Sequence, residues 1–485
     1  MKFELKKKER AIFVLTFLLA IFTRFFMLDE RPMDHDESIH AYLSYILMKK
    51  GEYHYDPAFH GPFLYYSTAL IFYLVGDSEF SARLVPVLFS LLGVFFAYKF
   101  KKWLSCGAYL LMFFMIFSTS ILYYSRYMRN DIILLSSFLA ILYFYFEYLE
   151  KRGLLSLIAI SFFFGIILTS KENGYIYLFI FISYIILSKI LKKAFKLNKP
   201  ENSKSLKNNV TDPIRLVKIV IASVIPFLLI FTMLYTHLFS NLQGLEDATV
   251  GAISHWIKMH EKKDHWKPIY YYFSLLIQYE FLPVGLTAFS IPTFIKRLKR
   301  RKITEIELFS FHWLVLSFII YHYISHKVPW LLLHLVLPLC FFSSLYLEKI
   351  TQNFKKGLKV AILLGILFTT SVSLSLTFVN YNNTAEDLIY IQAQPSVVDL
   401  SKKIIELKKK GECIVIYEPT YDYWPLPWYL RHEKISFISY GIPQCKFIVT
   451  SEKFAENVKD RGYKALKAFL VRPGHYLILM QKLED

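Results

Sequence analysis

The stretch AIFVLTFLLAIFTRFFMLDERPMDHDESIH, residues 11–40, decides how the chain is read. Residues 11–28 are almost wholly apolar, and the twelve that follow are crowded with acids and histidines. A membrane-crossing helix needs about 20 mostly apolar residues, roughly 17 at the short end. The run meets that length, and the basic start Lys6-Lys7-Lys8-Glu9-Arg10 precedes it. A cleavable signal peptide would need a small-residue cleavage site, but Leu28-Asp29-Glu30-Arg31 stands there instead. The expectation is a retained first helix that delivers an acidic loop to the far side of a membrane.

The same pattern recurs along the 485 residues. Apolar runs follow at 80–98, 106–124, 132–149, 153–169, 175–190, 216–236, 270–295, 308–325, 330–347 and 358–379, giving about eleven spans. The short runs 106–124 and 153–169 fit least well. Residues 62–76 are apolar but short, and read as a re-entrant or interfacial helix. A chain that is 55% hydrophobic and 18% aromatic is more apolar than a soluble domain of its size, and its mean hydropathy is +0.37.

Loop charge tests this reading. With the N-terminus cytoplasmic, alternate loops should be basic. They are: Lys99/Lys101/Lys102, Lys151/Arg152, the stretch 189–218, Lys296 to Lys302, and Lys349 to Lys359. The intervening loops carry Asp, Glu, His and Trp. This accounts for the net charge of +19 without a nucleic-acid partner. Residues 196–213 read as a flexible cytoplasmic linker. An odd number of spans puts the C-terminus outside, so the chain divides into a transmembrane module, 1–379, with a long first external loop, 29–79, and an external domain, 380–485. Short β-like runs at 413–417, 435–438, 447–449 and 476–479 alternate with helical stretches near 396–410 and 452–467, the pattern of a small α/β domain. Of the four cysteines, Cys106 and Cys340 lie in apolar runs; Cys413 and Cys445 share the C-terminal segment, where spacing alone does not decide whether they pair.

Charge-derived topology gathers four polar segments on the outer face. Asp34-His35-Asp36-Glu37 precedes a helix whose apolar side is Ile39, Tyr42, Leu43, Ile46 and Leu47, suited to a membrane interface. The helix dipole favours ionised carboxylates there, while their crowding opposes it; a plain capping turn is the bland alternative. Tyr123 to Asp131 contains Arg126 and Arg129, and Asp131 begins a descending helix close to hydrocarbon. An ionisable group so placed is a functional candidate, against the alternative of an Arg129–Asp131 anchoring pair. In Thr169-Ser170-Lys171-Glu172-Asn173-Gly174, Lys171 can receive a phosphate or merely snorkel. The fourth segment is Ser325-His326-Lys327-Val328-Pro329-Trp330, with His334 deeper. His255, His260, Glu261, Asp264 and His265, with His35, His40, His54 and His60, raise zinc, but no HExxH or paired-Cys pattern is present, and a divalent metal stays open.

These residues resemble the GT-C superfamily of integral membrane glycosyltransferases, which includes protein O-mannosyltransferases and lipid A aminoarabinose transferases. Asp36-Glu37 looks like the family's Asp-Glu motif, His60-Gly61-Pro62-Phe63-Leu64 like its Pro-containing motif, Ser125-Arg126 to Asp131 like its Ser/Thr-Arg…Asp segment, and Lys171 like a Lys at the corresponding helix end. The Pro motif departs from the aminoarabinose pattern in carrying His60 and no acid–Lys pair. Leu28 to Met33, His35 to His40, Tyr53 to Leu64, Tyr124-Ser125-Arg126, Arg129-Asn130-Asp131, Lys171-Glu172-Asn173, Pro329-Trp330-Leu331 and Trp424 to Leu430 are similar, together, to an archaeal flippase-activity-associated family of the N-glycosylation pathway.

The resemblance implies transfer of a sugar from a polyprenyl (dolichyl) phosphate to a glycan, protein or lipid acceptor on the external face, with inversion at the anomeric carbon. It implies Asp36 as general base with Glu37 in support. Arg126, Arg129, Lys171 and His60 would hold the donor, Asp131 would orient a cation or the sugar, and aromatic-rich spans would bind the lipid tail. Tyr421, Trp424 and Trp428 would stack on acceptor sugars. The rival reading is a non-catalytic factor that binds or translocates the same lipid-linked sugar. A transporter of ions or nutrients fits less well, because charges are scarce within the spans.

Overall fold

The computed structural model describes residues 2–195, 213–262, 265–353 and 356–483. The linker expected at 196–213 lies, Pro213 apart, outside them, as does Asp264. The chain forms two compact units. One comprises 1–26, 53–67 and 83–379; the other comprises 27–52, 68–82 and 380–485.

The first unit is helical because its runs are long, apolar and mostly free of internal breakers. Its helices are α1 (Lys2–Phe25), α4 (Leu84–Lys99), α5 (Gly107–Phe117), α6 (Thr119–Tyr124), α7 (Asp131–Lys151), α8 (Leu154–Ser170), α9 (Asn173–Phe195), α10 (Pro213–Tyr235), α11 (Tyr271–Tyr279), α12 (Phe281–Lys299), α13 (Glu305–Tyr323), α14 (Leu333–Asn353) and α15 (Lys356–Leu374). Among the described residues, seven helices are long and apolar enough to cross a membrane, or eight if α11 and α12 count as one bent span. The expected eleven exceeds that number, although each apolar run does fall on helix. The difference lies in α1, which is not among the seven, and in short or broken helices. Run 106–124 is interrupted at Ser118, leaving α5 with 11 residues; α8 has 17. The apolar run 62–76 is the 13-residue helix α3 (Phe63–Val75), about 20 Å long at 1.5 Å per residue. Burial follows position: α7 and α14 are enclosed along most of their length, whereas α10 and α15 leave most of their apolar surface exposed.

In the second unit a five-stranded mixed sheet has the order β2-β1-β3-β5-β4. The strands are β1 (Ile414–Tyr417), β2 (Ser436–Ile438), β3 (Phe447–Ser451), β4 (Tyr463–Arg472) and β5 (His475–Lys482). β1 runs parallel to β2 and β3, and β5 antiparallel to β3 and β4. Side chains alternate between faces. Ile416, Val449 and Leu479 meet Val397, Leu400 and Ile404 of helix α16 (Ser396–Lys409); on the other face Ile448 and Met480 meet Ala455 and Val458. Both faces are covered, which is why β1 and β3 are buried end to end. Each such side chain contributes roughly 1.5–3 kcal/mol on burial.

The helix expected over 452–467 ends at Lys459. Gly462, at φ +83°, turns the chain, and Tyr463–Arg472 becomes a strand. Its Lys-Ala-Leu-Lys-Ala sequence has helical propensity, but pairing with β5 and burial of Phe469 and Val471 prevail. A disulfide joins Cys413 to Cys445, just before β1 and β3.

Helix α2 (His35–Lys50) belongs to this unit. Its buried residues are Glu37, Ser38, Ile39, His40, Ala41, Ser44 and Leu47, while Tyr42, Leu43 and Ile46 of the apolar side stay partly exposed.

Candidate functional site

The first unit brings Arg129, Asp131, Lys171 and His334 together from three separate stretches of chain. Asp131 opens α7, where the helix dipole favours a carboxylate; Lys171 follows the last residue of α8, where it favours a cation. Lys171 Nζ donates to Asp131 Oδ1 at 2.8 Å, and His334 Nε2 meets the same oxygen at 3.1 Å. Arg129 Nε stands 3.9 Å from Asp131 Oδ2, and its guanidinium lies 3.5 Å over the Trp330 ring. All four side chains are at most 4% exposed. Behind them, Tyr177 hydrogen-bonds His334 Nδ1 at 2.8 Å, and Tyr321 stacks on the His334 ring. Two permanent cations, Arg129 and Lys171, thus flank Asp131 in a place shielded from water.

Beside Lys171 in sequence, Glu172 pairs with His60 at 2.9 Å and accepts from the Tyr55 hydroxyl at 3.1 Å. Burial pushes the Glu172 carboxyl up, but the neighbouring His60, with its hydrogen bond, and Lys171 bring it below the usual carboxylate range. His60 stacks on Trp256. The turn that presents it is pressed against the end of α8: Gly61 N donates to Ser170 O at 3.0 Å, and a Cβ on Gly61 would stand 2.2 Å from Thr169 O. Only glycine fits that approach. Arg126 has a different station. One of its nitrogens donates to the carbonyls of Thr23 and Arg24, each at 2.9 Å, and its guanidinium lies over Phe378.

The second unit carries Asp36 and Glu37 at the start of α2. Glu37 is fully buried and forms a bidentate pair with Arg31, at 2.7 and 2.9 Å. It also closes a capping box with Asp34. Arg31 further contacts Gln392 at 2.8 Å. Glu37 thus builds the helix start, while Asp36 next to it keeps part of its surface open. Burial pushes the adjacent His35 ring below its ordinary value. Asp422 is bonded to Arg472, with His475 Nε2 at 2.9 Å from the Asp422 carbonyl oxygen. Burial pushes the Asp422 carboxyl up, but Arg472 outweighs it and leaves it below its ordinary value.

These bonds fix the loop that carries the three expected acceptor aromatics, which fare differently. Tyr421 is 56% exposed. Trp424 is half-buried, edge-on to Tyr42 of α2 at 5.8 Å. Trp428 is fully buried, stacked on Phe72, with the Arg431 guanidinium 3.7 Å over its ring and its Nε1 donating to Glu79. No face of it is left for a sugar.

His334, Glu172 and Asp422 are the partners that sequence reading left unassigned. The signal for Glu172 was its place beside Lys171 at a helix end; nothing local marked Asp422. Among the described residues, no group of three or more His, Cys, Asp or Glu side chains is placed to hold a metal ion.

The fold is that of ArnT from Cupriavidus metallidurans. The chain is similar to ArnT from Cupriavidus metallidurans, both bound to undecaprenyl phosphate (14% identity, 96% of this chain and 97% of that one, TM-score 0.65) and in the apo state (15%, 97% and 98%, 0.65). The protein O-mannosyltransferase Pmt1-Pmt2 complex of S. cerevisiae, bound to the sugar donor, is a partial match (18% identity, 49% and 34%, TM-score 0.36). Residues 59–203 match the model of the dolichyl-phosphate-mannose-protein mannosyltransferase family. No curated protein matches by sequence.

Proposed function

We propose that the protein transfers a sugar from a polyprenyl (dolichyl) phosphate to a glycan, protein or lipid acceptor at the external face of the membrane. The observation that carries this is the buried cluster of Arg129, Lys171, Asp131 and His334. Arg129, Asp131 and Lys171, with His60, lie within residues 59–203, which match a family named for a dolichyl-phosphate sugar donor. In the similar fold of ArnT the bound molecule is undecaprenyl phosphate.

Each unit has its own part of the chemistry. Arg129 and Lys171 neutralise the phosphate, which becomes the leaving group. Asp131 holds Lys171 in place. Asp36 takes the proton from the acceptor hydroxyl, and Tyr421 and Trp424 bind the acceptor. Glu37 and Trp428 support these groups structurally. Reaction at the external face is supported by the alternation of loop charge and by the Cys413–Cys445 disulfide, since disulfides persist in oxidising compartments.

The test incubates purified protein with radiolabelled dolichyl-phosphate sugar and cell extract. Label should reach an acceptor with wild type and not with Asp36→Asn. Transfer by Asp36→Asn at the wild-type rate sinks the assignment of the base. Lipid-sugar movement across vesicles with no transfer would favour the translocation factor instead.

A further inference from the structure

A helix that breaks inside a membrane bundle leaves carbonyls on one side and N–H groups on the other, where water does not serve them. The first unit contains such a break at Ser118, between α5 and α6. Two buried ionisable side chains meet its two ends. On the carbonyl side, the fully buried Arg24 donates to Ile116 O at 3.0 Å and to Met115 O. Its guanidinium also reaches Thr23 Oγ1 at 2.9 Å and Ser90 Oγ at 3.1 Å. On the amide side, Oε1 of the fully buried Glu280 accepts from Ser118 Oγ at 2.7 Å, Ser120 N at 2.8 Å and Ser120 Oγ at 2.7 Å.

Glu280 itself occupies a second break, where α11 and α12 meet at 102°. An uninterrupted helix over 107–124 would satisfy its own backbone and need neither side chain. The chain instead places a guanidinium at the carbonyl end of the break and a carboxyl group at the amide end. Beyond the break, α6 has only six residues and leads directly into Ser125–Asn130, which carries Arg126 and Arg129 and ends at Asp131. Arg126 closes the loop by donating back to the carbonyl of Arg24.

We propose that Arg24 and Glu280 are positioning residues. Together they fix the break at Ser118, and through α6 they set where Arg129 stands over Trp330 and beside Asp131. This rests on the reading that the Asp131 cluster receives the donor phosphate.

The experiment compares wild type with Glu280→Ala, Glu280→Gln and Ser120→Ala in detergent. It has three readouts: amide hydrogen exchange, dolichyl phosphate binding by tryptophan fluorescence, and donor KM against kcat. Glu280→Ala should speed exchange across 119–131 and leave the sheet strands 414–482 unchanged. It should weaken dolichyl phosphate binding roughly tenfold or more, the factor expected when a buried hydrogen-bonded anchor is lost. Donor KM should rise in step, with a smaller fall in kcat. Glu280→Gln keeps the accepting oxygen and should recover most of the loss. If Glu280→Ala does not fold, Ser120→Ala, which removes one donor and keeps the carboxyl group, should show the same changes on a smaller scale. Unchanged exchange over 119–131 and unchanged binding in the folded variant overturn the proposal. Faster exchange in a protein whose wild type does not bind dolichyl phosphate supports the positioning role and removes the donor reading.

Discussion

Asp36 and Glu37 are neighbours in one motif, and the structure gives them opposite consequences on mutation. Glu37 is enclosed, with its carboxylate spread over both terminal guanidinium nitrogens of Arg31 and reaching back to the Asp34 amide at 3.3 Å. Glu37→Ala leaves Arg31 buried without its carboxylate, with Gln392 among its remaining polar partners. Breaking a buried ion pair from one side costs about 3–5 kcal/mol, and losing the capping box adds about 1 kcal/mol. At roughly 2–4 °C per kcal/mol, the sum lowers the melting temperature by about 8–24 °C. Asp36 takes no part in the cap. Asp36→Asn leaves the capping box in place, so it should lower the melting temperature less than Glu37→Ala and, if Asp36 is the general base, lower kcat by about 10²–10⁴-fold.

The assay pairs thermal unfolding in detergent, followed by tryptophan fluorescence, with sugar transfer measured at a temperature where both variants remain folded. Glu37→Ala should be unstable but retain a substantial part of its kcat there; Asp36→Asn should be the more stable of the two and inactive. A stable Glu37→Ala with no transfer would return Glu37 to the chemistry and refute the division.

Trp428→Ala should cost about 3–5 kcal/mol, as expected of an emptied aromatic core position, and show as a lowered melting temperature. Trp424→Ala should leave stability intact and raise acceptor KM by roughly 2- to 12-fold, the worth of one aromatic contact. Gly61→Ala drives a Cβ into the Thr169 carbonyl; overpacking of this kind costs about 1–3 kcal/mol, and the displaced His60 should loosen from Glu172, measured as a fall in melting temperature with a rise in donor KM. Asp422 is held below its ordinary value of 3.8 by Arg472, so its contribution to stability is present above that pH and lost as pH falls through the folded value. Arg472→Met should move that loss to higher pH, read as an earlier acid transition by circular dichroism.

How far the structure was legible in the sequence depended on whether the signal was local. Asp131 and Lys171 stood out because an ionisable group at the end of an apolar run is costly wherever the helix packs. The strands 414–417 and 447–451 were equally plain, being short β-branched runs. By contrast, the His60–Glu172 pair joins residues 112 apart, and no local pattern announces it. Glu280 escaped the sequence reading although its signal was present: an acid inside the run 270–295, with Pro283 close behind, marks a break in an apolar stretch long enough for one span. Trp424 and Trp428 sit in one motif, yet only tertiary packing decides that the second is enclosed. In 463–472, propensity pointed to helix and sheet pairing overrode it. For Asp36-Glu37 the bland alternative was a solvated capping turn; the structure has a capping box there, made by Asp34 and Glu37, and both are buried.

Buried charge separates the candidate site from its structural imitators. Glu307 is enclosed and faces two cations, Arg297 at 2.9 Å and Lys349 at 2.7 Å, but these are 28% and 35% exposed, so water and salt screen them. Arg24 and Glu280 are fully buried, yet their hydrogen bonds go to backbone groups and hydroxyls at a helix break. The Asp131 cluster combines both properties: two cations against one acid, and almost no exposure to screen them. At an effective dielectric near 20, one cation acting on a phosphate about 4 Å away is worth about 4 kcal/mol, close to a thousandfold in affinity. Removing the Arg129 charge while sparing the Lys171–Asp131 pair, as Arg129→Met does, should therefore cost the protein its phosphate ligand before it costs the fold.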